Sequence, residues 1–280
     1  MMPNFDPRLT PARPDLAASH LRGKVEAARF ADGIVQEVIV GQTPLRNAPS
    51  HGATMVTEAL MGERVTVYET DEEGWCWGQL AGDGYVGWLP AAALLAPGPA
   101  PTHRVAVLRT FLFPGPSIKL PPVEALPLGA QIAVARFDDS FAVTAAGGHV
   151  PERHLASVTA VEPDFVTVAE QFTGVPYLWG GKTSLGLDCS GLVQVALAAC
   201  GVACPRDSDM QEAALGQPAS LEGMRRGDLL FWKGHVAIAR DSTTLIHANA
   251  HHMMAAIEPA AEAIARIRAA GSEVTSVRRL

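Results

Sequence analysis

A chain of 280 residues is long enough to bury a substantial core and to form more than one domain. Its net charge of −7 argues against nucleic-acid binding and against attachment to an anionic membrane surface, because both require a basic face. Its 26 glycines and 21 prolines favour turn-rich β modules over a helical bundle.

The N-terminal segment and the cysteines predict the cellular compartment. Residues 1–20 contain no apolar core of the length that a secretory signal needs, and no run approaches the ~18 apolar residues of a membrane span. The cysteines are irregularly spaced and match neither a disulfide framework nor a CxxC zinc pattern: Cys76, Cys189, Cys200 and Cys204. We therefore expect a reduced, cytoplasmic protein, although export by a non-classical route stays open.

The first third of the chain predicts two segments. Residues 1–33 predict a helical lead-in, because apolar residues from Leu16 to Phe30 recur at roughly helical spacing after a Pro-Asp pair. In residues 34–96 the pattern changes to short alternating runs separated by DEEG and AGDG turns. This second segment is typical of a small β-barrel.

Residues 97–158 predict a second β module, which begins with the Pro-rich linker PGPAPT. EALMGERVTV in the first module resembles EALPLGAQIAV in the second, which indicates a weak internal repeat. A single irregular β domain that covers both segments is the alternative.

Residues 159–280 predict an α+β domain. VEPDFVTVAEQF and GLVQVALAAC have helical patterns, and three strand-like runs follow between residues 228 and 248. A helix near residues 260–270 and a final strand end the chain. A helix followed by an antiparallel meander is typical of the α+β class.

Cys189, in LDCSGLVQVAL, is the candidate nucleophile. At the first turn of an apolar helix, backbone N–H groups and the helix dipole stabilise negative charge, so a thiol there is expected to have a lowered pKa. Asp188, Ser190 and Gly191 suit the start of such a helix. A lone cysteine near a helix start is more often structural, so the interpretation depends on the neighbouring motifs.

Upstream, PYLWGGKTS places two aromatic residues, Tyr177 and Trp179, before a Gly-Gly pair. Glycines permit a close approach of main chain to a ligand, and the aromatic rings offer a π face and a hydroxyl donor. By itself this segment also fits a hairpin with aromatic core residues.

His235 and His247 supply the base and the orienting residue. His235 opens a strand-like run after a glycine, and His247 lies near the end of the next run. If the runs pair as a hairpin, the two rings come side by side; His235 then takes the thiol proton, and His247 binds its other nitrogen. Two core histidines are the structural alternative. The HANAHH cluster that follows could suggest zinc, but lacks a recognisable ligand spacing.

These motifs resemble the NlpC/P60 cysteine peptidases of bacterial cell-wall metabolism. The resemblance covers about residues 160–280 and depends on YLWGG, DCSGLV, GDLLFW, GHVAI and LIHA. More weakly, GERVTV, GWCWGQL and DGYVGWLP resemble the bacterial SH3-like domains that accompany this catalytic domain. The implied fold class is α+β: a papain-like domain preceded by the helical lead-in and two small SH3-like β-barrels.

The resemblance extends to the γ-D-glutamyl-L-diamino acid endopeptidases. It implies cleavage of murein stem peptides that begin with a free L-Ala, with release of L-Ala-D-Glu and with no cofactor or metal. By motif matching it makes Cys189 the nucleophile, His235 the base and His247 the third member of the triad.

Substrate-binding roles also follow from the resemblance alone. In the RDS segment, Asp207 and Ser208 match residues that contact the D-Glu and diamino-acid side; Asp188 and Ser190, which flank the nucleophile, are expected to touch substrate, together with Tyr177 and Trp179. In members specific for a free N-terminus, an acidic residue and a tyrosine of the first SH3-like module bind the terminal ammonium. Glu58 and Tyr85 match them, whereas an exposed acid and a barrel-core aromatic are the structural interpretation.

Three other functions stay open at the level of sequence. A wall-binding protein with an inactive catalytic domain is disfavoured because all three triad residues are present. An acyltransferase or amidase would keep the triad and change the substrate. A metal-dependent hydrolase would use HANAHH. The diamino acid preferred, the role of the second β module and the oligomeric state are left undecided.

Overall fold

The computed structural model describes residues 5–280 and divides between Val158 and Thr159 into two compact units. Within the described residues, none of the helices combines the length and apolar character needed to cross a bilayer.

The first part of the N-terminal unit contains nine strands and forms a β-barrel-like module. Seven of them form one sheet in the order β5-β4-β8-β7-β6-β3-β9, and β1 pairs with β2 in parallel. The strands are β1 (Leu16–Ala18), β2 (Arg29–Ala31), β3 (Ile34–Val38), β4 (Gln42–Arg46), β5 (Met55–Leu60), β6 (Arg64–Thr70), β7 (Trp75–Leu80), β8 (Val86–Pro90) and β9 (Leu94–Leu95). Alternate residues of these strands face one core, which includes Val38, Leu45, Val65, Cys76 and Leu89.

The helical lead-in predicted for residues 1–33 is wrong for the described part of that segment. Instead of an α-helix, residues 5–33 contain β1, β2 and one 3₁₀ turn, Ser19–Leu21. Pro11 and Pro14 cannot donate the hydrogen bonds of a helix, and Gly23 adopts φ +78°, which ends any regular run. The residues of β1 are buried, and their backbone pairs with that of β2.

The second part of the N-terminal unit has its own small core but smaller sheets. The strands are β10 (His103–Val105), β11 (Arg109–Leu112), β12 (Glu124–Pro127), β13 (Gln131–Ile132), β14 (Val134–Asp138), β15 (Phe141–Thr144), β16 (His149–Pro151) and β17 (Leu155–Ser157). They form the sheets β13-β10-β17, β11-β12 and β14-β15-β16, which enclose Val105, Leu126, Ala130, Ile132 and Val150. The Gln131 N–H donates to the Met61 carbonyl at 2.8 Å, so this part is joined to the first. We propose that this part is a second SH3-like module.

The C-terminal unit is an antiparallel sheet with helices on its faces. Its helices are α1 (Phe165–Glu170), α2 (Cys189–Ala199), α3 (Ser208–Ala214) and α4 (Ala260–Ala269). Its strands are β18 (Lys182–Thr183), β19 (Gly186–Leu187), β20 (Gln217–Ala219), β21 (Leu229–Trp232), β22 (His235–Ala239), β23 (Thr244–Asn249), β24 (Met254–Pro259) and β25 (Ser276–Arg279). Six strands pair in the order β20-β25-β21-β22-β23-β24.

The sequence analysis is confirmed for α1, α2, α4, β21 to β23 and the final strand β25, but it missed α3, β20, β24 and the short strands β18 and β19. Strand β24 matters most for the site. It pairs with β23 over its whole length, with His247 opposite Ala256 and Leu245 opposite Glu258. Glu258 is therefore a diagonal neighbour of His247 on the same face of the sheet.

Candidate active site

Cys189 is the first residue of α2, and a capping hydrogen bond and close main-chain packing hold the start of this helix. Asp188 caps the helix: its Oδ1 accepts from the Gly191 N–H at 2.7 Å. A side chain at Gly191 would place its Cβ 2.2 Å from the Gly181 carbonyl oxygen, so both glycines permit a close main-chain packing. Packing of this kind buries Cys189, which is 7% exposed.

A buried ion pair supports this helix start, and sequence reasoning missed one of its members. Arg206, 1% exposed, donates to both carboxylate oxygens of Asp188 at 2.9 and 2.7 Å and to Ser190 Oγ at 2.9 Å. Asp188 also accepts from the Gly180 N–H at 2.8 Å. The side chains of Asp188 and Ser190 thus have an internal structural role, and contact of either with substrate stays a prediction. The RDS segment contained Arg206, but its burial was not visible in the sequence.

His235 and His247 meet as the hairpin argument predicts. Strands β22 and β23 are antiparallel, with Ile238 opposite Ile246. His235 Nε2 lies 2.8 Å from His247 Nδ1, and the ring centroids are 5.0 Å apart. The Nδ1 atom of His235 is therefore the nitrogen left for another partner.

Glu258 and Arg266 extend this pair into a chain of four side chains, which sequence reasoning did not detect. His247 Nε2 lies 2.6 Å from Glu258 Oε1, and Arg266 donates to the two oxygens of Glu258 at 2.5 and 2.6 Å. Burial opposes ionisation of Glu258, but hydrogen bonds from Arg266 and His247 outweigh it and hold the pKa of Glu258 well below its usual range. Glu258 is thus a carboxylate and accepts only.

The ionised state of Glu258 determines the tautomers of both histidines. Since Glu258 accepts, His247 carries its proton on Nε2, and in the neutral ring its Nδ1 is an acceptor. His235 must then donate from Nε2, which leaves its Nδ1 without a proton. An unprotonated Nδ1 is what a general base needs.

The protonation of the resting site differs from the thiolate that the helix start predicts. Burial and then the Asp188 carboxylate raise the pKa of Cys189 to about 11, although backbone hydrogen bonds from Val236 and Ser190 act in the opposite direction. Burial and then His247 and Arg266 lower the pKa of His235 to about 3. Both shifts favour a neutral thiol beside a neutral imidazole, because desolvation outweighs the helix dipole.

Helix α2, which begins at Cys189, packs against β22, and the Val236 backbone N–H is close enough to lower the pKa of the thiol; His235 is the residue before Val236. Tyr177 belongs to the same neighbourhood. Burial and then the charges of Cys189 and Asp188 raise the pKa of Tyr177 to about 12, so its hydroxyl keeps its proton as a donor. Trp179, two residues on, is 64% exposed and offers a free aromatic surface.

Asp207 and Ser208 lie at the start of α3. Asp207 is half-buried, and Ser208 is buried as the first residue of the helix. Gln211, one turn later, donates from Nε2 to the carbonyls of Ser190 and Pro205 at 3.0 and 2.8 Å. These bonds tie α3 to the beginning of α2, so the RDS segment and the nucleophile are held in one cluster.

Glu58 and Tyr85 lie in the N-terminal unit. Glu58 is on β5 and only 3% exposed, and Gln42 Nε2 donates to its Oε1 at 2.8 Å. The structural interpretation of Glu58 as an exposed acid is therefore wrong. Tyr85 belongs to the core of the first module, which is consistent with a barrel-core aromatic. An ammonium-binding role for either stays a prediction.

No group of three or more His, Cys, Asp or Glu side chains within residues 5–280 is arranged to hold a metal ion. In the HANAHH segment, His252 is bonded instead to Asn249, whose Oδ1 lies 2.8 Å from the His252 backbone nitrogen. All four cysteines are free thiols.

Two family matches fall on separate parts of the chain. Residues 174–269 match the NlpC/P60 family, and residues 45–94 match the bacterial dipeptidyl-peptidase SH3 domain. A solved structure of an NlpC/P60 family protein from Bacillus cereus ATCC 10987 superposes with a TM-score of 0.74 at 21% identity, covering 88% of this chain and 99% of the other. The papain-like α+β fold with an SH3 domain before it is thereby confirmed.

Curated relatives are similar over shorter stretches. Dipeptidyl-peptidase 6 of Lysinibacillus sphaericus is 38% identical over 34% of this chain. Proteins named gamma-D-glutamyl-L-lysine dipeptidyl-peptidase are 31% identical over 63% of it in Bacillus subtilis and 28% identical over 68% of it in Bacillus cereus. The chain spans 35%, 63% and 66% of these three relatives, respectively.

Proposed function

We propose that this chain, which contains an NlpC/P60 peptidase domain and a bacterial SH3 domain, is a cysteine endopeptidase for murein stem peptides. The bond cleaved is the one between the γ-carbonyl of D-Glu and the diamino acid, in peptides that begin with a free L-Ala. The products are L-Ala-D-Glu and the diamino acid or its peptide.

One observation carries the chemical part of the proposal. A buried cysteine begins α2, which packs against the strand whose first residue, His235, is bonded to His247 at 2.8 Å. A nucleophile, a base and a group that orients the base are the three parts of acyl-transfer catalysis by a thiol. The names of the similar proteins support the choice of substrate.

The reaction begins with a neutral pair. As the sulfur of Cys189 bonds to the γ-carbonyl carbon, its proton passes to Nδ1 of His235, and the imidazolium formed is stabilised through His247 by Glu258. The Tyr177 hydroxyl and backbone N–H groups at the start of α2 stabilise the oxyanion. His235 then protonates the leaving amine, and water, deprotonated by His235, hydrolyses the thioester.

Glu58 is proposed to bind the free amine of L-Ala. Glu58 is only 3% exposed and accepts a hydrogen bond from Gln42, and a peptide ammonium would add a charge-assisted hydrogen bond to this side chain. An intact glycan strand would be rejected, because its L-Ala nitrogen is acylated and carries no charge. Four free thiols are consistent with a reducing compartment, so we assign the activity to cytoplasmic recycling of murein peptides.

Mass spectrometry of products tests the function. We expect L-Ala-γ-D-Glu-diaminopimelate to release L-Ala-D-Glu, its N-acetylated form to be cleaved far more slowly, and Cys189→Ala to release nothing. Equal rates on the two peptides would refute the free-amine role, and Glu58→Gln would then leave their ratio unchanged. Absence of cleavage of either peptide by the native chain would refute the substrate class itself.

A further inference from the structure

The outer face of the first β module carries one acid and two indoles in a single row. Glu69 on β6 pairs directly with Trp77 on β7, which pairs directly with Trp88 on β8. Directly paired residues project to the same face of a sheet, and neighbours along one strand project to opposite faces. Cys76 and Leu89, which adjoin the two indoles in sequence, belong to the barrel core. The row of Glu69, Trp77 and Trp88 therefore projects away from that core.

Residues 8–13 of the same chain cover this row. Trp77 is only 3% exposed although it projects away from the core. The guanidinium carbon of Arg13 lies 4.4 Å from the centre of the Trp77 ring and 4.8 Å from that of Trp88. Arg13 also donates from Nη2 to Glu69. The row thus holds a cation between two π faces and one carboxylate.

The module also binds the main chain of this segment. The Val86 N–H on β8 donates to the Arg8 carbonyl at 2.8 Å. Gln79 on β7 donates from Nε2 to the Leu9 carbonyl, also at 2.8 Å. The segment is therefore held at two points, by its backbone at residues 8 and 9 and by the side chain of Arg13.

Bonds within the segment maintain its shape. The Thr10 N–H donates to the Asp6 carbonyl at 2.9 Å, and Arg8 Nη2 lies 2.7 Å from the Asp6 carboxylate. Prolines, whose rings fix φ, restrict the backbone further: Pro7, Pro11 and Pro14. A segment that is restricted in this way loses little conformational freedom when it binds, which is the property of a preorganised ligand.

We propose that the row of Glu69, Trp77 and Trp88 is a binding site for an arginine-bearing peptide, and that residues 8–13 occupy it as a ligand tethered to the same chain. A guanidinium suits the site better than an ammonium, because its flat faces stack on the rings while its edge donates to the carboxylate. Tethering gives the segment an effective concentration of about a millimolar, so a free peptide binds only when the tethered contact is weakened. Binding of a wall polymer to this face would require the same displacement. The inference is independent of the substrate proposed for the C-terminal unit.

A synthetic peptide with the sequence of residues 6–15, acetylated and amidated at its ends, tests the proposal by calorimetric titration of the full-length chain. Arg13→Ser removes the anchor of the tethered segment, so this variant should bind the peptide, whereas the native chain should not bind it over the same concentration range. Replacement of the peptide's second arginine by citrulline, a neutral isostere, should weaken binding to the variant about tenfold. Arg22→Ser removes a guanidinium that lies 4.5 Å from the centre of the Phe30 ring, outside the proposed site, and should behave as the native chain does.

A folded Arg13→Ser chain that binds neither peptide, or binds both equally, would overturn the proposal. Equally tight binding to the native chain would also overturn it, because the peptide would then occupy a different site. Glu69→Gln, added to Arg13→Ser, should abolish the preference for arginine over citrulline, and an unchanged preference would place the guanidinium elsewhere and refute the site. If Arg13→Ser does not fold, Arg13→Lys takes its place, because it keeps the cation and loses the flat stacking surface. The arginine peptide should displace the segment of that variant, and absence of binding would overturn the proposal.

Discussion

Replacement of Glu258 by Gln tests whether the chain of side chains behind His235 sets the strength of the base. The substitution keeps the shape of the side chain but removes the charge that determines the tautomer of His247, and it leaves Arg266 without its ion-pair partner. Glu258 is a positioning residue in this scheme, because it acts on the reaction through His247.

The magnitude follows from the charge that forms on His235 during attack. With bonds of 2.8 and 2.6 Å on either side of the His247 ring, the carboxylate lies roughly 8 Å from the imidazolium. At an effective dielectric constant of about 20, one unit charge at that distance contributes about 2 kcal/mol, which corresponds to a rate factor of about 30. We therefore expect kcat to fall about 30-fold with KM little changed.

A pH profile separates this role from a general loss of structure. Glu258 raises the pKa of His235, against the larger effects of burial, His247 and Arg266. Without the carboxylate the pKa of His235 falls further, so the acid limb of kcat/KM should move to lower pH while the plateau drops. Glu262→Gln, the same change at an exposed position on α4, should alter kcat less than about twofold. A folded Glu258→Gln enzyme with a native plateau and an unmoved acid limb would refute the reasoning.

The remaining predictions concern the thiol and the buried ion pair. Because burial raises the pKa of Cys189 to about 11, inactivation by iodoacetamide should accelerate steadily from pH 7 to pH 10; a rate independent of pH over this range would indicate a preformed thiolate. EDTA should leave the peptidase activity unchanged, and loss of activity that zinc restores would contradict the thiol mechanism. Arg206→Met leaves Asp188 as a buried carboxylate without its cation. We therefore expect the free energy of unfolding of the C-terminal unit, measured by urea denaturation, to fall by about 3–5 kcal/mol. A decrease below about 1 kcal/mol would show that Asp188 is solvated.

The arrangement of the proposed catalytic trio could be predicted because each member is marked by a local pattern. A cysteine after Asp188 at the start of an apolar run predicts a helix-start thiol, and α2 begins at that residue. His235 and His247 lie on consecutive strand-like runs, whose antiparallel pairing the short connections favour. The spacing of apolar residues indicates which side of a helix or strand faces the core, so it also predicts α1, α4 and the central strands.

Other features depended on contacts that local patterns do not encode. Glu258 reaches His247 only because β24 pairs with β23 in one register, and Arg206 reaches Asp188 from 18 residues along the chain. The apolar spacing of residues 16–30 is compatible with a helix, but strand pairing and prolines gave β1 and β2. The sequence by itself determined which groups are proposed to carry the chemistry, since those groups are identified by residue type and local order. Only the tertiary structure decided their protonation, because the pKa of Cys189 and His235 depends on burial and on charges that the fold brings near them.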